Sequence, residues 1–192
     1  MNIFDQVKNY TPVNEQEEND RKLILRALEE MPDVFERSNE VCHMTASCWI
    51  TDSSFERVLM AYHKIYDSWA WLGGHCDGEK DLLAVALKEA REESGIEEVV
   101  PLMSDPISLE ILTVDGHEKK GRYVSSHLHL NLTYLLQADE GKMLHIKEDE
   151  NSAVKWFALD EAVSMSSEPW FRERIYPKLN EKLRKFALEN HR

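Results

Sequence analysis

The segment from Asp81 to Ser94 constrains the fold more than any other part of the chain. Its apolar residues recur with the period of an α-helix, about 3.6 residues, and Gly95 follows where such a helix would stop. Strand-forming runs lie on both sides of it in the sequence. A helix set between strands predicts a single α/β (α+β) domain in which a sheet is packed against helices.

The remaining elements follow the same reasoning. Val41 to Thr51 and Arg57 to His63 are predicted to form a hairpin, because a short polar turn separates two β-prone runs. The polar stretch Asn14 to Asp20 is suited to a loop. Further strands are predicted at Ser108 to Val114, His127 to Leu136 and Val154 to Phe157, and further helices at Asp20 to about Arg37, Asp160 to Val163 and Phe171 to Leu188. Residues 1–192 then form one domain, with residues 1–40 as an N-terminal helical extension.

Charge and cysteine content exclude several classes of protein. The net charge of −13 repels nucleic-acid phosphates and anionic lipid, so no nucleic-acid or membrane partner is expected. An anionic small molecule must then be met by a metal or a local basic group. The 3 cysteines are odd in number and form no CxxC pair, which suits a reducing compartment. With no apolar run long enough to span a bilayer, the expected location is the cytoplasm.

Three carboxylates share one face of the predicted helix. Glu89, Glu92 and Glu93 stand at i, i+3 and i+4, whereas Leu83, Leu87 and Ala90 form a separate apolar stripe. Like charges at this spacing repel one another unless a cation lies between them. Mg²⁺ prefers oxygen ligands and often keeps substrate phosphates in its shell. The alternative is an ordinary solvated acidic face.

The same segment resembles the Nudix box, whose pattern is Gly, five residues, Glu, seven residues, then Arg-Glu-apolar-x-Glu-Glu-x-Gly-apolar. Here Gly74 opens the box and the match resumes at Glu89, Ala90, Glu92, Glu93, Gly95 and Ile96. The resemblance implies an α/β/α sandwich with a mixed β-sheet between helices. It also implies Mg²⁺- or Mn²⁺-dependent hydrolysis of a phosphoanhydride bond, in a nucleoside diphosphate linked to another group or in a nucleoside triphosphate. A homodimer is frequent in the family.

By the same resemblance, Glu89, Glu92 and Glu93 ligate the metal, Glu89 also being able to orient water, and a backbone carbonyl near Gly74 completes the shell. Glu150, which precedes the late strand with Trp156, is the further acid expected to act in catalysis. An ordinary solvated turn is the alternative for Glu150.

The box is imperfect at two positions, where Lys80 replaces the first glutamate and Lys88 replaces the arginine. Glu79 lies one residue early, so a Glu79–Lys88 ion pair is predicted to steady the loop. Two other functions remain open. One is a non-catalytic nucleotide-binding sensor, and the other is an isopentenyl diphosphate isomerase type of enzyme that uses Cys76 or Cys48.

Candidate substrate contacts lie outside the helix. His127, His129, Asn131 and Thr133 alternate with leucines, so one face of their strand is polar, and the two histidines are candidate substrate ligands. An edge strand with this face in water is the alternative. A histidine pair at i and i+2 can also hold a transition metal, but the sequence offers no evident third ligand.

Cations and aromatic residues give weaker signals. Arg122 and Lys88 are candidate substrate-binding cations, and Arg122 belongs to a basic loop with Lys119 and Lys120. Trp69 and Trp71 can stack on a base or pack in the core, and Cys76 is expected to be a packed thiol.

Overall fold

The computed structural model describes residues 2–64, 67–119, 121–147 and 151–190. The helices are α1 (Ile3–Asn9), α2 (Glu15–Glu30), α3 (Leu82–Ser94), α4 (Leu159–Met165) and α5 (Tyr176–Asn190), the last preceded by a π-helical turn at Phe171–Ile175. The strands are β1 (Cys42–Thr51), β2 (Arg57–His63), β3 (Ser68–Ala70), β4 (Leu72–His75), β5 (Val100–Pro101), β6 (Ser108–Val114), β7 (His117–Lys119), β8 (Arg122–Val124), β9 (His127–Gln137) and β10 (Asn151–Ala158).

The main sheet is mixed, with the strand order β10-β2-β1-β9-β5. Its centre is the parallel pair β1 and β9, which stay in register from Cys42 opposite Leu128 to Thr51 opposite Gln137. On its other side β1 pairs antiparallel first with β4 and then with β2. β6 pairs antiparallel with β9, and β7 and β8 form a separate two-stranded ribbon.

Helices cover both faces of the sheet. Met44 and Ala46 of β1 belong to the core that includes Ala86 of α3, whereas Trp49 belongs to the core that includes Leu179 of α5. Because neighbouring residues of a strand point to opposite faces, α3 and α5 lie on opposite sides of the sheet. This confirms the predicted mixed sheet between helices.

α2 protects an outer strand of the sheet. Asp20 accepts a hydrogen bond from the Ile111 backbone N–H of β6 at 3.0 Å, and Gln16 donates to the Leu109 carbonyl at 3.3 Å. These two backbone groups lie on the outer side of β6, away from β9. Unpaired backbone groups on an edge strand can pair with strands of other chains, and α2 prevents this here.

The N-terminal helix begins earlier than predicted. Asn14, expected in a loop, is the N-cap of α2, and its side chain accepts a hydrogen bond from the Glu17 backbone N–H at 2.9 Å. The helix also ends at Glu30, ahead of Pro32, rather than near Arg37. α1 carried no sequence signal strong enough to predict it.

The predictions of β6, α3 and the hairpin agree closely with the structure. β6 has the predicted limits, and α3 begins after the N-cap Asp81 and ends at Gly95, whose φ of 74° is left-handed. The predicted hairpin is present, with Ile50 opposite Leu59. Among the described residues, no helix combines the length and the apolar character needed to cross a bilayer.

Candidate active site

A glycine-rich turn brings the backbone close to α3. Gly73 and Gly74 of β4 lie opposite Ser47 and Ala46 of β1. A Cβ atom on Gly74 would lie 2.6 Å from Oε1 of Glu89, which is closer than real side chains approach. The absence of a side chain at Gly74 therefore makes room for the Glu89 carboxylate beside the main chain.

The carboxylate face of α3 points inward, beside an apolar stripe that also packs against the core. Glu89 and Glu93 are only 8% and 4% exposed, whereas Leu83 and Leu87 are half-buried at the side of the core. Of the predicted stripe, Ala90 alone is fully buried. The reason is local, because the space above Gly74 accepts a carboxylate and the Gly73 N–H donates to Oε2 of Glu93 at 3.4 Å.

Glu92 completes the set on the solvent side of the same helix face, with 42% of its side chain exposed. The Lys147 ammonium lies 3.4 Å from a Glu92 carboxylate oxygen and 3.8 Å from one of Glu89. Lys88 lies farther out, 3.9 Å from Glu92. Sequence reasoning missed Lys147, because it comes from the distant segment before β10.

This donor set fits a hard divalent cation. Glu89 and Glu93 are buried carboxylates with Glu92 beside them, and a cation that shares the site offsets the cost of burying such charges. Mg²⁺ and Mn²⁺ prefer carboxylate and carbonyl oxygens, and the backbone of Gly74 lies against Glu89. The three predicted carboxylates are thus placed on one helix beside the glycine turn.

The prediction that Glu79 pairs with Lys88 is wrong, because both side chains have other partners among the described residues. Oε1 of Glu79 accepts hydrogen bonds from the backbone N–H groups of Lys80 at 2.7 Å and Asp81 at 2.9 Å, and these bonds lower the pKa of Glu79. The carboxylate is therefore committed to the turn before α3. Lys88 points toward Glu92, one helical turn onward.

β9 is an interior strand, so the edge-strand interpretation of its polar face is wrong. Asn131 and Thr133 are fully buried and lie in a network of hydrogen bonds. Oδ1 of Asn131 accepts from Thr45 at 3.0 Å and from Ser47 at 2.9 Å, and Thr133 donates to Glu110 at 3.0 Å. Nothing in this inner part of the face is open to a ligand.

Two lysines of α5 close the inner part of the polar face. Lys178 lies 2.9 Å from Glu110 and 3.1 Å from Glu17, and Lys182 lies 2.5 Å from Glu17. Burial alone would raise the pKa of Glu17, but the two lysines outweigh it and lower that pKa. Burial likewise acts against the charge of Lys178, yet Glu110 and Glu17 raise its pKa. This buried charge network has no local sequence pattern.

The outer end of the same face is a cluster of four histidines. His43 of β1 lies opposite His129 of β9, and their ring centroids are 5.1 Å apart. His75 lies 4.9 Å from His129 and 5.2 Å from His43, and His127 lies 4.9 Å from His43. Burial, followed by the neighbouring histidines, lowers the pKa of His129 to about 2. Burial is also the largest cause of the lowered pKa of His43.

Sequence reasoning found two members of this cluster and missed His43 and His75. A strand register joins them, because His43 shares a β1 face with Thr45, which lies opposite His75. That register is a long-range property that no local pattern shows.

The predicted basic loop and the further catalytic acid are described only in part by the structure. Arg122 is exposed on the β7–β8 ribbon, which follows the end of β6 where Val114 pairs with His127. Lys119 begins the turn of that ribbon, but Lys120 lies outside the described residues, as does the predicted catalytic acid Glu150.

Trp69 and Trp71 pack in the structure. Trp69 makes an edge contact with Phe157, and Trp71 makes one with Phe171. Cys76 is 4% exposed, and burial raises its pKa to about 12, as expected for a packed thiol.

Comparison with known proteins gives a consistent result. The family model described as NUDIX domain matches residues 42–179. No curated protein matches the chain. Among solved structures, a NUDIX-family hydrolase from Clostridium perfringens is 20% identical to this chain, with a TM-score of 0.51. The match covers 75% of this chain and 97% of the Clostridium chain. The E. coli dihydroneopterin triphosphate pyrophosphohydrolase is 15% identical, with a TM-score of 0.52. That match covers 76% of this chain and 95% of the E. coli chain. These likenesses concern the fold.

Proposed function

Because this chain belongs to the Nudix family, we propose that it is a divalent-metal-dependent hydrolase. Its substrate would be a nucleoside diphosphate linked to another group, or a nucleoside triphosphate, cleaved at a phosphoanhydride bond. The observation that carries the proposal is the burial of Glu89 and Glu93 against the Gly73-Gly74 turn, with Glu92 beside them. A folded chain tolerates such carboxylates best when a cation shares the site.

Glu89, Glu92, Glu93 and the Gly74 carbonyl are the groups proposed to hold Mg²⁺ or Mn²⁺. The bound ion would neutralise charge that develops on the phosphate oxygens. Glu89 is buried against the turn and is suited to orienting water. Glu150 is proposed as a further catalytic acid, on the strength of the family resemblance.

The substrate is proposed to lie at the outer end of the polar face. The inner end is filled by the buried network around Lys178, whereas His127 and His129 are half-buried at the opposite end. Arg122 and Lys88 are exposed cations suited to phosphate oxygens. On a molecule with a net charge of −13, such local cations and the metal ion would be needed to hold an anionic substrate.

The thiol chemistry of an isomerase receives no support from the site. Cys48 and Cys76 are buried, and burial raises the pKa of both thiols, to about 12 for Cys76. A thiol held protonated is a poor base or nucleophile at neutral pH.

The test is hydrolysis of a panel of nucleotides with and without Mg²⁺ or Mn²⁺, with product identity giving the bond cleaved. Glu93→Gln removes one ligand charge without changing the side chain's shape, so turnover should fall by at least about a hundredfold while the fold is kept. Glu97→Gln changes an exposed glutamate just beyond α3 and is the matched control.

Wild-type turnover by Glu93→Gln at saturating Mg²⁺ would contradict the assignment of Glu93. Nucleotide binding without turnover by the wild-type protein, on the whole panel, would instead support the sensor alternative.

A further inference from the structure

We propose that His43, His75, His127 and His129 form a binding site for a transition-metal ion, Zn²⁺ above all, separate from the carboxylates of α3. Ligating atoms of His43, His75 and His129 lie within 4.8 Å of one another. His127 adjoins them, with its Nε2 3.2 Å from Nε2 of His129. This inference does not rest on the hydrolase assignment; where the ion is bound, His127 and His129 hold it in place of the substrate.

The spacing is close to that of a tetrahedral site. With metal–nitrogen bonds of about 2.0 to 2.1 Å, two nitrogens on one tetrahedral ion lie about 3.3 to 3.4 Å apart. The Nε2 atoms of His127 and His129 are already 3.2 Å apart, joined by a hydrogen bond whose proton the ion would replace. The ligand atoms of His43, His75 and His129 are within 4.8 Å of one another, so modest side-chain rotation of the half-buried His75 and His129 would bring them to bonding distance.

Outer hydrogen bonds already orient two of the rings. Nδ1 of His43 lies 3.0 Å from the Asn39 carbonyl, and Nδ1 of His127 lies 2.8 Å from the Ser125 carbonyl. A carbonyl can only accept, so both Nδ1 atoms carry the proton and both Nε2 atoms are left with a lone pair. A backbone carbonyl behind each ligand is the usual arrangement at histidine metal sites.

His43 supplies an independent sign of a missing partner. It is only 4% exposed, and its Nε2 is buried without a hydrogen-bond partner among the described residues. A buried acceptor without a donor is costly, and a metal bond would remove that cost.

The ligand type decides the class of ion. Imidazole nitrogens suit Zn²⁺, Ni²⁺ and Cu²⁺, whereas Mg²⁺ and Mn²⁺ favour the oxygens of α3. Neutral rings are the form that binds metal, and the lowered pKa values of His43 and His129 keep those rings neutral. The two sites therefore select different ions.

An ion at this place would join three strands. His43 belongs to β1, His75 to β4, and His127 and His129 to β9. Because His75 directly follows the Gly73-Gly74 turn, the ion would anchor the end of that turn to the centre of the sheet.

The experiment uses the full chain without a histidine tag, stripped with a chelator and then titrated with Zn²⁺ by calorimetry in saturating Mg²⁺. Magnesium keeps the carboxylate site filled. One Zn²⁺ per chain is expected, and Co²⁺ in its place should give the intense visible absorption of a tetrahedral site. His129→Ala and His75→Ala should each weaken Zn²⁺ binding by more than about tenfold, since loss of even an outer-shell partner has that effect.

Two controls make the result specific. His145→Ala removes an exposed histidine outside the cluster and should leave Zn²⁺ binding unchanged. Glu93→Gln should also leave it unchanged, because the carboxylates are a different site. No stoichiometric uptake, uptake insensitive to both cluster variants, or uptake lost in Glu93→Gln would overturn the proposal.

Discussion

Gly74 is the residue on which the position of the carboxylates depends most directly. Gly74→Ala would place a methyl group 2.6 Å from Glu89 Oε1, and the carboxylate would have to move. Displacement of a reacting group by about 1 Å can cost about a hundredfold in rate. We expect kcat to fall by that order while the melting temperature changes little, because a side chain moves rather than the backbone.

Gly141→Ala is the matched control, since Gly141 is exposed and its added Cβ would approach only Asp139. If Gly74→Ala retained wild-type turnover, close contact between the turn and Glu89 would not be what positions the carboxylate.

Lys147 competes with a metal ion for the same carboxylates. Its ammonium lies 3.4 Å from Glu92 and 3.8 Å from Glu89, and only 25% of its side chain is exposed. Lys147→Gln removes this charge, so the Mg²⁺ concentration for half-maximal activity should fall, by a few fold. Lys88→Gln should have a smaller effect, because Lys88 is 64% exposed and lies 3.9 Å from Glu92. An unchanged or higher Mg²⁺ requirement for Lys147→Gln would contradict this account.

At the scale of elements, α5 is tied to the sheet by charges rather than by apolar contact alone. Lys178→Met would leave Glu110 and Glu17 short of a buried partner, which typically costs about 3 to 5 kcal/mol. Urea unfolding should show this loss. Lys185→Met, on an exposed position of the same helix, should change stability by less than about 0.5 kcal/mol. Equal effects of the two variants on the free energy of unfolding would mean that the buried charge network does not stabilise the fold.

The network also predicts a dependence on acid. The pKa of Glu17 is lower in the folded chain than the unfolded value of about 4.3, so its ionised form stabilises the fold above that pH. The contribution disappears as the pH falls through the lowered folded pKa. The difference in unfolding free energy between wild type and Glu17→Gln should therefore be largest near pH 6 and shrink below about pH 4. A difference that grows on acidification would contradict the direction of this pKa shift.

The sequence predicted those elements whose signals are local. β6 and α3 were found nearly to the residue, because a strand-forming run, the helical period and the terminal Gly95 are all local signals. The inward turn of Glu89 was missed, since it depends on the space above Gly74. His43 and Lys178 were missed for a different reason, because parallel pairing and helix docking join residues far apart in the chain.

At the scale of the whole molecule, the net charge of −13 opposes the approach of any nucleotide. Added salt screens that repulsion. At fixed saturating Mg²⁺, raising the ionic strength from about 0.02 M to 0.15 M should lower KM for a nucleotide, with little change in kcat. Potassium chloride and potassium acetate should act alike if screening is the cause. A steep rise in KM would show instead that the local cations dominate the approach.

The parallel pairing of β1 with β9 has a consequence for how the chain acquires its structure. The turn, α3 and the strand opposite it all come from residues 42–94, whereas β9 begins only at His127. Contacts between distant residues form late, since a long loop must close first. During synthesis the carboxylate helix and its glycine turn can therefore meet early, while the four histidines come together only after β9 has left the ribosome and docked. Slowing the docking of β9 should delay formation of the histidine cluster without delaying the contact between α3 and the glycine turn.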